Sequence, residues 1–446
     1  MTRNLFICIF LFFSLGMANA QKKAWTFKQC LDTALQRNIS VNQSRLSNDL
    51  NKVSFEQSKA NRIPSVSANA GEALNFGKNV DPTTNTFVTQ AYHSTNMGVS
   101  GSLNLFNGLQ NSNTIKQNRL NVQAGEYELE KVRNDVTLNI TTGYLQVLFA
   151  YEILATAKNQ ETSTLAQVDR TEKMVNAGKS PESDLLQIKS QLATDNLAVI
   201  NAQNQLDMAK VTLMQLMEVP IADDFEVEVP ALVEPSVIPQ SNVDIYNKSL
   251  QVMPQIFGAA LRTNASQMAL KVSEGARWPR LTLGGNLSSN YASSRKQGTN
   301  VNPEGYPFFK QLWDNIGQSF NLGLSIPIYS NRQIQSNIER AKINELNIRL
   351  SEQNTKNVLR KSVEQAFTDL RAAGKKYEAT KLQLTAVESV YKNAEQKFNV
   401  GVMTATDFLI QKNSYTQSQS SLIQTKFDFI FKSRILDFYQ GKGITF

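Results

Sequence analysis

Two hydrophobic periods alternate along this chain. In residues 95–106, TNMGVSGSLNLF, Met97, Val99, Leu103 and Leu105 share one face while Asn96, Ser100, Ser102 and Asn104 share the other. The same two-residue period recurs three times. Leu281, Leu283 and Leu287 alternate with Thr282, Asn286, Ser288 and Asn290 in 280–291. Phe320, Leu322, Leu324, Ile326 and Ile328 mark one face of 318–329. Val66, Ala68, Ala70, Leu74 and Phe76 alternate with Ser67, Asn69 and Asn75 in 64–76, where Glu72 intrudes on the apolar face. Period two predicts strands with one apolar and one polar face. Each predicted strand runs about 10–12 residues, enough to cross a bilayer when tilted. Polar loops 77–94 and 292–317 pair them into hairpins spanning 64–106 and 279–329, and Trp278 and Tyr291 stand at opposite ends of one strand, as membrane-interface aromatics do.

The other period is that of supercoiled helices. Leu359, Val363, Ala366, Leu370, Ala373, Tyr377, Thr380, Leu384, Val387, Tyr391, Ala394 and Phe398 step by four and three. A looser copy runs Val136, Ile140, Gly143, Val147, Ala150, Leu154, Ala157, Glu161, Thr164, Val168, Thr171 and Val175. A sustained 3.5-residue step predicts left-handed packing against neighbouring helices. After a short interruption each series resumes, through Leu185, Ile188, Leu192 and Val199 in one case and through Phe408, Tyr415, Leu422, Phe429 and Leu436 in the other. One predicted arm, 331–399, would be roughly 100 Å long at 1.5 Å per residue. Globular domains do not need helices of that length.

The interruptions are themselves a repeat. NAGKSPESDLL (176–186) and NVGVMTATDFL (399–409) both read Asn-x-Gly, five residues, then Asp and two apolar residues. Gly178 and Gly401 suit the left-handed conformation that ends a helix. Ser180 with Pro181, and Thr404 with Ala405, suit the start of the next. The chain therefore reads as two copies of one plan: residues 21–218 and 241–446, each a short helical segment (about 27–60 and 242–276), a β-hairpin and a long helical hairpin. The Pro-bearing segment 219–240 links them.

Residues 1–20 carry Arg3, the apolar run LFICIFLFF and a small-x-small Ala18-Asn19-Ala20 site, the pattern of a secretory signal peptide cleaved after Ala20. Gln21, not cysteine, would begin the mature chain, so no N-terminal lipid is expected. Cys30 would be the one remaining cysteine, which argues against a disulfide framework. No later apolar run reaches about 18 residues, so a membrane crossing would have to use strands. The net charge of +8 is not gathered into basic, aromatic-bearing clusters, which sets nucleic acid aside as a partner.

Four strands cannot close a membrane barrel, since the smallest have about eight. An open edge in hydrocarbon leaves backbone groups unpaired at several kcal/mol each. Copies of the chain would have to share one barrel. Two would give a filled interior and three a barrel wide enough for a channel.

In order and duplication these features resemble the TolC-like outer-membrane efflux family across essentially the whole mature chain. Trp25-Thr26-Phe27 with Cys30-Leu31, Ala34-Leu35 and Asn38 is similar to that family's opening helix. Arg62-Ile63-Pro64 and Arg277-Trp278-Pro279 resemble entries into its barrel, and Phe106-Asn107-Gly108 and Tyr329-Ser330-Asn331 its exits. The resemblance implies an α+β membrane protein: a homotrimeric channel-tunnel with a shared twelve-stranded barrel in the Gram-negative outer membrane, set in its lipid, above a long periplasmic α-helical barrel. It also implies a periplasmic adaptor and an inner-membrane pump of RND or ABC type as partners, with small molecules leaving through the duct, or polypeptides in a type I secretion system.

By the same resemblance the tip turns Gly178, Lys179, Ser180, Gly401, Val402 and Thr404 dock the adaptor. Asp407 matches the first aspartate of the family's entrance motif. Ile410 stands where the family's best-known member has a second aspartate and Met403 where that member has an arginine just after the glycine turn, departures that imply a more apolar constriction. Asp184 is the first-half counterpart. For Asp407, pore lining and helix capping fit equally; for Asp184, capping is favoured.

An enzyme is the competing class. His93, in a predicted external loop, and Cys30 do not make a zinc site. No Gly-rich phosphate loop follows a strand. Carboxylates on the heptad helices read as solvated or interfacial faces, and no cofactor is implied. A structural envelope tether would keep the heptads but has no use for paired amphipathic strands.

Overall fold

A computed structural model of the protein describes residues 24–80, 85–230, 241–297 and 304–444; the predicted signal peptide, with its cleavage site, lies outside them. In chain order the elements are α1 (Phe27–Arg37), α2 (Ile39–Ala60), β1 (Ser65–Asn75), β2 (Lys78–Val80), β3 (Phe87–Thr89), β4 (Tyr92–Asn107), α3 (Gln110–Asn176), α4 (Glu182–Leu216) and α5 (Asn242–Val252). Then follow α6 (Pro254–Gly275), β5 (Arg280–Ala292), β6 (Lys296–Gln297), β7 (Glu304–Gly305), α7 (Phe308–Asp314), β8 (Gly317–Ser325), α8 (Gln333–Asn399) and α9 (Ala405–Tyr439).

The halves match in detail. Helices α3 and α8 each have 67 residues, and α4 and α9 each have 35. Left-handed backbone recurs at the same spacing. Gly108 and Leu109 (φ +64° and +63°) correspond to Asn331 and Arg332 (+48° and +61°) where strands give way to long helices. Gly178 (+68°) corresponds to Gly401 (+79°), and Glu218 (+54°) to Gly441 (+75°). Each is a place where the chain must reverse or re-aim within two residues, which a left-handed residue accomplishes.

By its contacts the chain forms two compact units, which cut across the repeats. One comprises residues up to Ser44, Leu129–Met253 and everything from Lys356 on; the other comprises Arg45–Glu128 and Pro254–Thr355.

In the first unit the apolar seams of the heptads are buried. Ile140, Val147 and Leu148 of α3, Leu213 and Met214 of α4, and Ile430 of α9 share one cluster with Cys30 and Ala34 of α1. Helix α1 begins with a reciprocal cap: the Thr26 hydroxyl accepts from the Gln29 amide, and the Gln29 side chain accepts from the Thr26 amide, both at 3.1 Å. The described start of the predicted linker is docked rather than loose. Trp25 exchanges backbone hydrogen bonds with Glu226 and Glu228, and the Tyr144 hydroxyl donates to the Glu228 carbonyl at 2.6 Å. Burial pushes the Cys30 thiol up to about 12, so it is an inert packing group.

The second unit carries a four-stranded antiparallel sheet in the order β1-β4-β5-β8. Its register puts Ala68 opposite Val99, Ala70 opposite Met97, Val99 opposite Leu287, and Leu283 opposite both Leu103 and Leu322, so one face is apolar from edge to edge. The other face is small and polar. Ser65 pairs with Ser102 and Ser67 with Ser100 through their hydroxyls, at 3.0 and 3.1 Å. The apolar face is open: Val66, Phe320, Leu322 and Leu324 are all exposed.

Several sequence expectations shift here. A bulge between Asn104 and Phe106 takes Leu105 out of register, so Phe106 opposes Leu281. Strand β8 stops at Ser325 rather than 329, because Pro327 has no amide to donate to a ladder. The segment 27–60 is two helices, broken where the Asn38 side chain accepts from the Ser40 amide. Likewise 242–276 breaks at Pro254, which opens α6. Glu72 faces His93 at 3.3 Å near the loop end of the sheet, so the intruding carboxylate has a polar partner there.

Candidate functional site

The two helical hairpins end in the same turn chemistry. The Gly401 amide donates to the Phe398 carbonyl and the Val402 amide to Lys397, at 3.0 and 2.9 Å; Gly178 to Val175 and Lys179 to Met174 repeat the pattern at 2.9 and 2.8 Å. This is the paired closure of a glycine-ended helix, and it needs the positive φ at both glycines. Neither glycine has any atom within 4 Å of where a Cβ would stand, so backbone conformation alone selects glycine there.

The following helices start differently. Thr404 caps α9: its hydroxyl accepts from the Asp407 amide at 3.1 Å and donates to the Asp407 carboxylate at 2.8 Å. At α4 the cap position is Pro181, which has no side-chain oxygen, and the Ser180 hydroxyl instead donates to the Asp184 carboxylate at 2.7 Å. Both aspartates thus sit in a first helical turn, where the positive end of the helix dipole favours them. Asp407 remains exposed while Asp184 is half-buried.

Around these turns the tip has its own core. Ile188, Ala394, Phe398, Ala405 and Phe408 are buried together, with Phe398 and Phe408 stacked at 4.7 Å. Met403 packs partly against this cluster, whereas Val402 and Ile410 are exposed. Two polar contacts tie the hairpins at this end: the Thr406 hydroxyl with the Gln187 side chain at 3.0 Å, and the Arg170 guanidinium donating to the Asn399 carbonyl at 3.3 Å.

Two turns up α9 lies a feature that the sequence reading missed. Lys412 is fully buried and donates to Thr164 of α3 and, at 3.4 Å, to the Gln167 side chain. Thr164 also bonds Asp195 of α4, which accepts a second hydrogen bond from Gln191 at 2.8 Å. Burial holds the Lys412 ammonium down at about 8, against the opposing pull of Asp195 and Glu395. Asp195 corrects the expectation that heptad carboxylates are solvated or interfacial. On α4 a signal was in the pattern, because the apolar series skips from Leu192 to Val199 and the skipped seam position is Asp195; on α9 the apolar residues recur only every seventh position, so Lys412 stands out from no gap.

At the sheet, Trp278 lies in the turn before β5 and is exposed, whereas Tyr291 at the other end is covered by Phe308, ring centroids 4.8 Å apart.

Residues 30–218 and 245–429 match the outer membrane efflux protein family, so the match itself falls into two parts, one in each half. The outer membrane efflux protein BepC of Brucella suis is 21% identical over 92% of this chain and 84% of its own length. The outer membrane protein TolC of Escherichia coli is 21% identical over 71% of this chain and 63% of its own. Among solved structures, the outer membrane protein VceC of Vibrio cholerae superposes with a TM-score of 0.77 at 14% identity, covering 94% of this chain and 96% of that one. The CmeC outer membrane channel of Campylobacter jejuni gives 0.76 at 16% identity, over 93% and 85%. With an amphipathic sheet, paired long helices and matched tip turns on top of a family match to most of its length, the chain belongs to the outer membrane efflux protein family.

Proposed function

We propose that this protein is the outer-membrane exit duct of a tripartite efflux system and works as a homotrimer. The observation that carries the reading is the sheet: four strands, β1 and β8 at its edges, one exposed apolar face and one small polar face. In lipid the edge groups must be paired, at a cost of several kcal/mol for each one left open. Three copies give twelve strands, with the apolar faces turned to lipid and the serine and asparagine faces lining a wet lumen. The exported mature chain would begin at Gln21 without a lipid anchor, in the Gram-negative outer membrane, with the long helices in the periplasm.

The chain supplies no energy and no chemistry. It holds a path open, and an inner-membrane pump of RND or ABC type drives cargo into it through a periplasmic adaptor. The turns at Gly178, Lys179, Ser180, Gly401, Val402 and Thr404 are the docking points for that adaptor. Around the threefold axis Asp407 and Ile410, exposed on successive turns of α9, line the entrance; Met403 and Asp184 back it from within each subunit. One relative is named as a toxin and drug export protein, which supports small molecules as cargo and polypeptides as a second class.

The test is mass and conductance together. The purified protein in detergent should have the mass of three chains, and in planar bilayers it should open small conductances that grow when the Arg170 and Thr406 ties are removed. A single-chain particle overturns the duct. A trimer without conductance, before and after loosening, would instead make it a tether between envelope layers.

A further inference from the structure

Both hairpins carry a two-stranded ribbon in their loops, β2-β3 and β6-β7, but only that between β5 and β8 has a helix, α7, among the described residues. Helix α7 is fastened to the sheet by its polar side. Gln311 is wholly buried, and its side chain both accepts from the Ala292 amide at 2.6 Å and donates to the Ala292 carbonyl at 3.2 Å. The Ser289 hydroxyl donates to the Leu312 carbonyl, and the Asn315 side chain donates to the Asn290 carbonyl at 2.7 Å. A short helix held by this many sheet contacts has a fixed orientation.

That orientation turns apolar groups outward. Phe309 is 84% exposed and Trp313 76%; four residues apart, they share one face of α7. Ile316, also exposed, follows just past the end of the helix. A water-facing loop has no reason to hold an aromatic stripe away from its own core. The sheet explains it. Tyr291 and Ser289, which α7 covers, are register partners of Thr95 and Met97, hence on the apolar face. Ile316 closes a groove of about 440 Å³ on that same face, with Ala68, Ala70, Met97, Val99 and Leu287 among its walls. The stripe is therefore continuous with the surface assigned to lipid.

Height along the sheet is fixed as well. Tyr291 stands level with Thr95, and Thr95 with Glu72, where Glu72 and His93 break into the apolar face below Leu74 and Phe76. Aromatic side chains concentrate at a membrane boundary because one part of the ring system prefers hydrocarbon and the other water. Lys310, exposed beside the stripe, suits the phosphate level of the headgroups.

We propose that α7 is a membrane-interface anchor: it lies on the lipid side of the barrel at its outer rim, with Phe309, Trp313 and Ile316 among the acyl chains. This rests on the exit-duct reading, which puts the sheet in the bilayer. It adds a surface that grips lipid outside the ring of strands and that would resist rotation or vertical slippage when a pump pulls on the far end of the duct.

The chain has three tryptophans, Trp25, Trp278 and Trp313, so a fluorescence test is direct. The variant carrying Trp25→Phe and Trp278→Phe leaves Trp313 as the sole indole; the variant carrying Trp25→Phe and Trp313→Phe leaves Trp278. Each full-length protein is reconstituted into phosphatidylcholine–phosphatidylglycerol vesicles whose chains are brominated at a shallow or a deep position. Trp313 emission is expected to fall about twofold or more with shallow bromines, less with deep ones, and hardly at all with aqueous iodide. Quenching of Trp313 by iodide but not by bromolipid, with Trp278 still quenched by bromolipid, overturns the anchor and leaves the duct standing. If neither indole meets bromolipid, the sheet is not in the bilayer and both readings fail.

Discussion

The Lys412 ammonium lies 4.0 Å from the Asp195 carboxylate, and neither side chain is more than 7% exposed. With Thr164 between them, they form a polar layer across three helices, at seam positions flanked by Leu192 and Val199 on α4 and by Phe408 and Tyr415 on α9. Such a layer costs stability relative to a hydrocarbon seam but rejects slipped registers, because any slip strands a buried charge. Lys412→Met should therefore destabilise the helical body, since Asp195 stays buried without its cation, but by less than the roughly 3–5 kcal/mol usual for breaking a buried pair, because the desolvation cost of the ammonium is removed with it. Adding Asp195→Leu should recover most of that loss. Thermal unfolding of the trimer in detergent, compared across the two single variants and the double, reads the coupling. Additive losses would show that the pair is not a unit.

The same layer gives stability a pH dependence of definite sign. Lys412 titrates at about 8 in the folded chain, against about 10.4 for an ordinary lysine. Below about pH 8 the group is protonated in both states, so the cost of burying its charge is fully present. Between about pH 8 and 10.4 only the unfolded chain holds the proton, and stability rises with pH. Above about pH 10 the half-buried Tyr391 hydroxyl, pushed up to about 12, acts in reverse, because the unfolded tyrosine ionises first and stability falls. The wild-type melting temperature, referenced to that of Lys412→Met, should climb between pH 8 and 10. A flat difference would mean that the lysine reaches solvent.

How far these features were legible depends on what kind of pattern wrote them. The long helices follow from a 3.5-residue step sustained over dozens of residues, and the strands from alternation that packs Val99 against Leu287. Tip turns were readable because glycine is the residue that tolerates their φ at no steric cost. The polar layer was not, for a physical reason: a charged residue at a seam position looks like a gap in the apolar series, and only its partners on two other helices reveal that the gap is filled. Helix α7 was missed because seven residues are too few to display a period. The bulge at Leu105 left no mark beyond the alternation it interrupts.

Gly401→Val tests the tip turn. A valine Cβ would meet nothing, so the effect is confined to backbone strain in a left-handed position, on the order of 1–2 kcal/mol and more for a β-branched residue. The turn should open and re-aim Val402. Site-specific crosslinking from position 402 to the adaptor, together with export in cells, should fall sharply. Gly401→Asn should retain both, since asparagine tolerates this conformation. Normal crosslinking and export in the valine variant would remove the turn geometry from the docking argument.

Asp407→Asn separates the two roles that this residue can hold. As a capping element it donates its backbone amide to Thr404 and accepts from the Thr404 hydroxyl at the side chain, and asparagine keeps both bonds. What it loses is one negative charge per chain, worth a few tenths to about 1 kcal/mol at an exposed helix start. The melting temperature should therefore move little. The three carboxylates that the trimer brings to the entrance would be gone, however, and with them the local attraction for cations. Conductance in planar bilayers should lose cation selectivity, and block by divalent cations on the periplasmic side should weaken several-fold. A channel unchanged in both respects, with or without divalent cations, would return Asp407 to its capping role and move the entrance constriction to the apolar side chains beside it, Ile410 first.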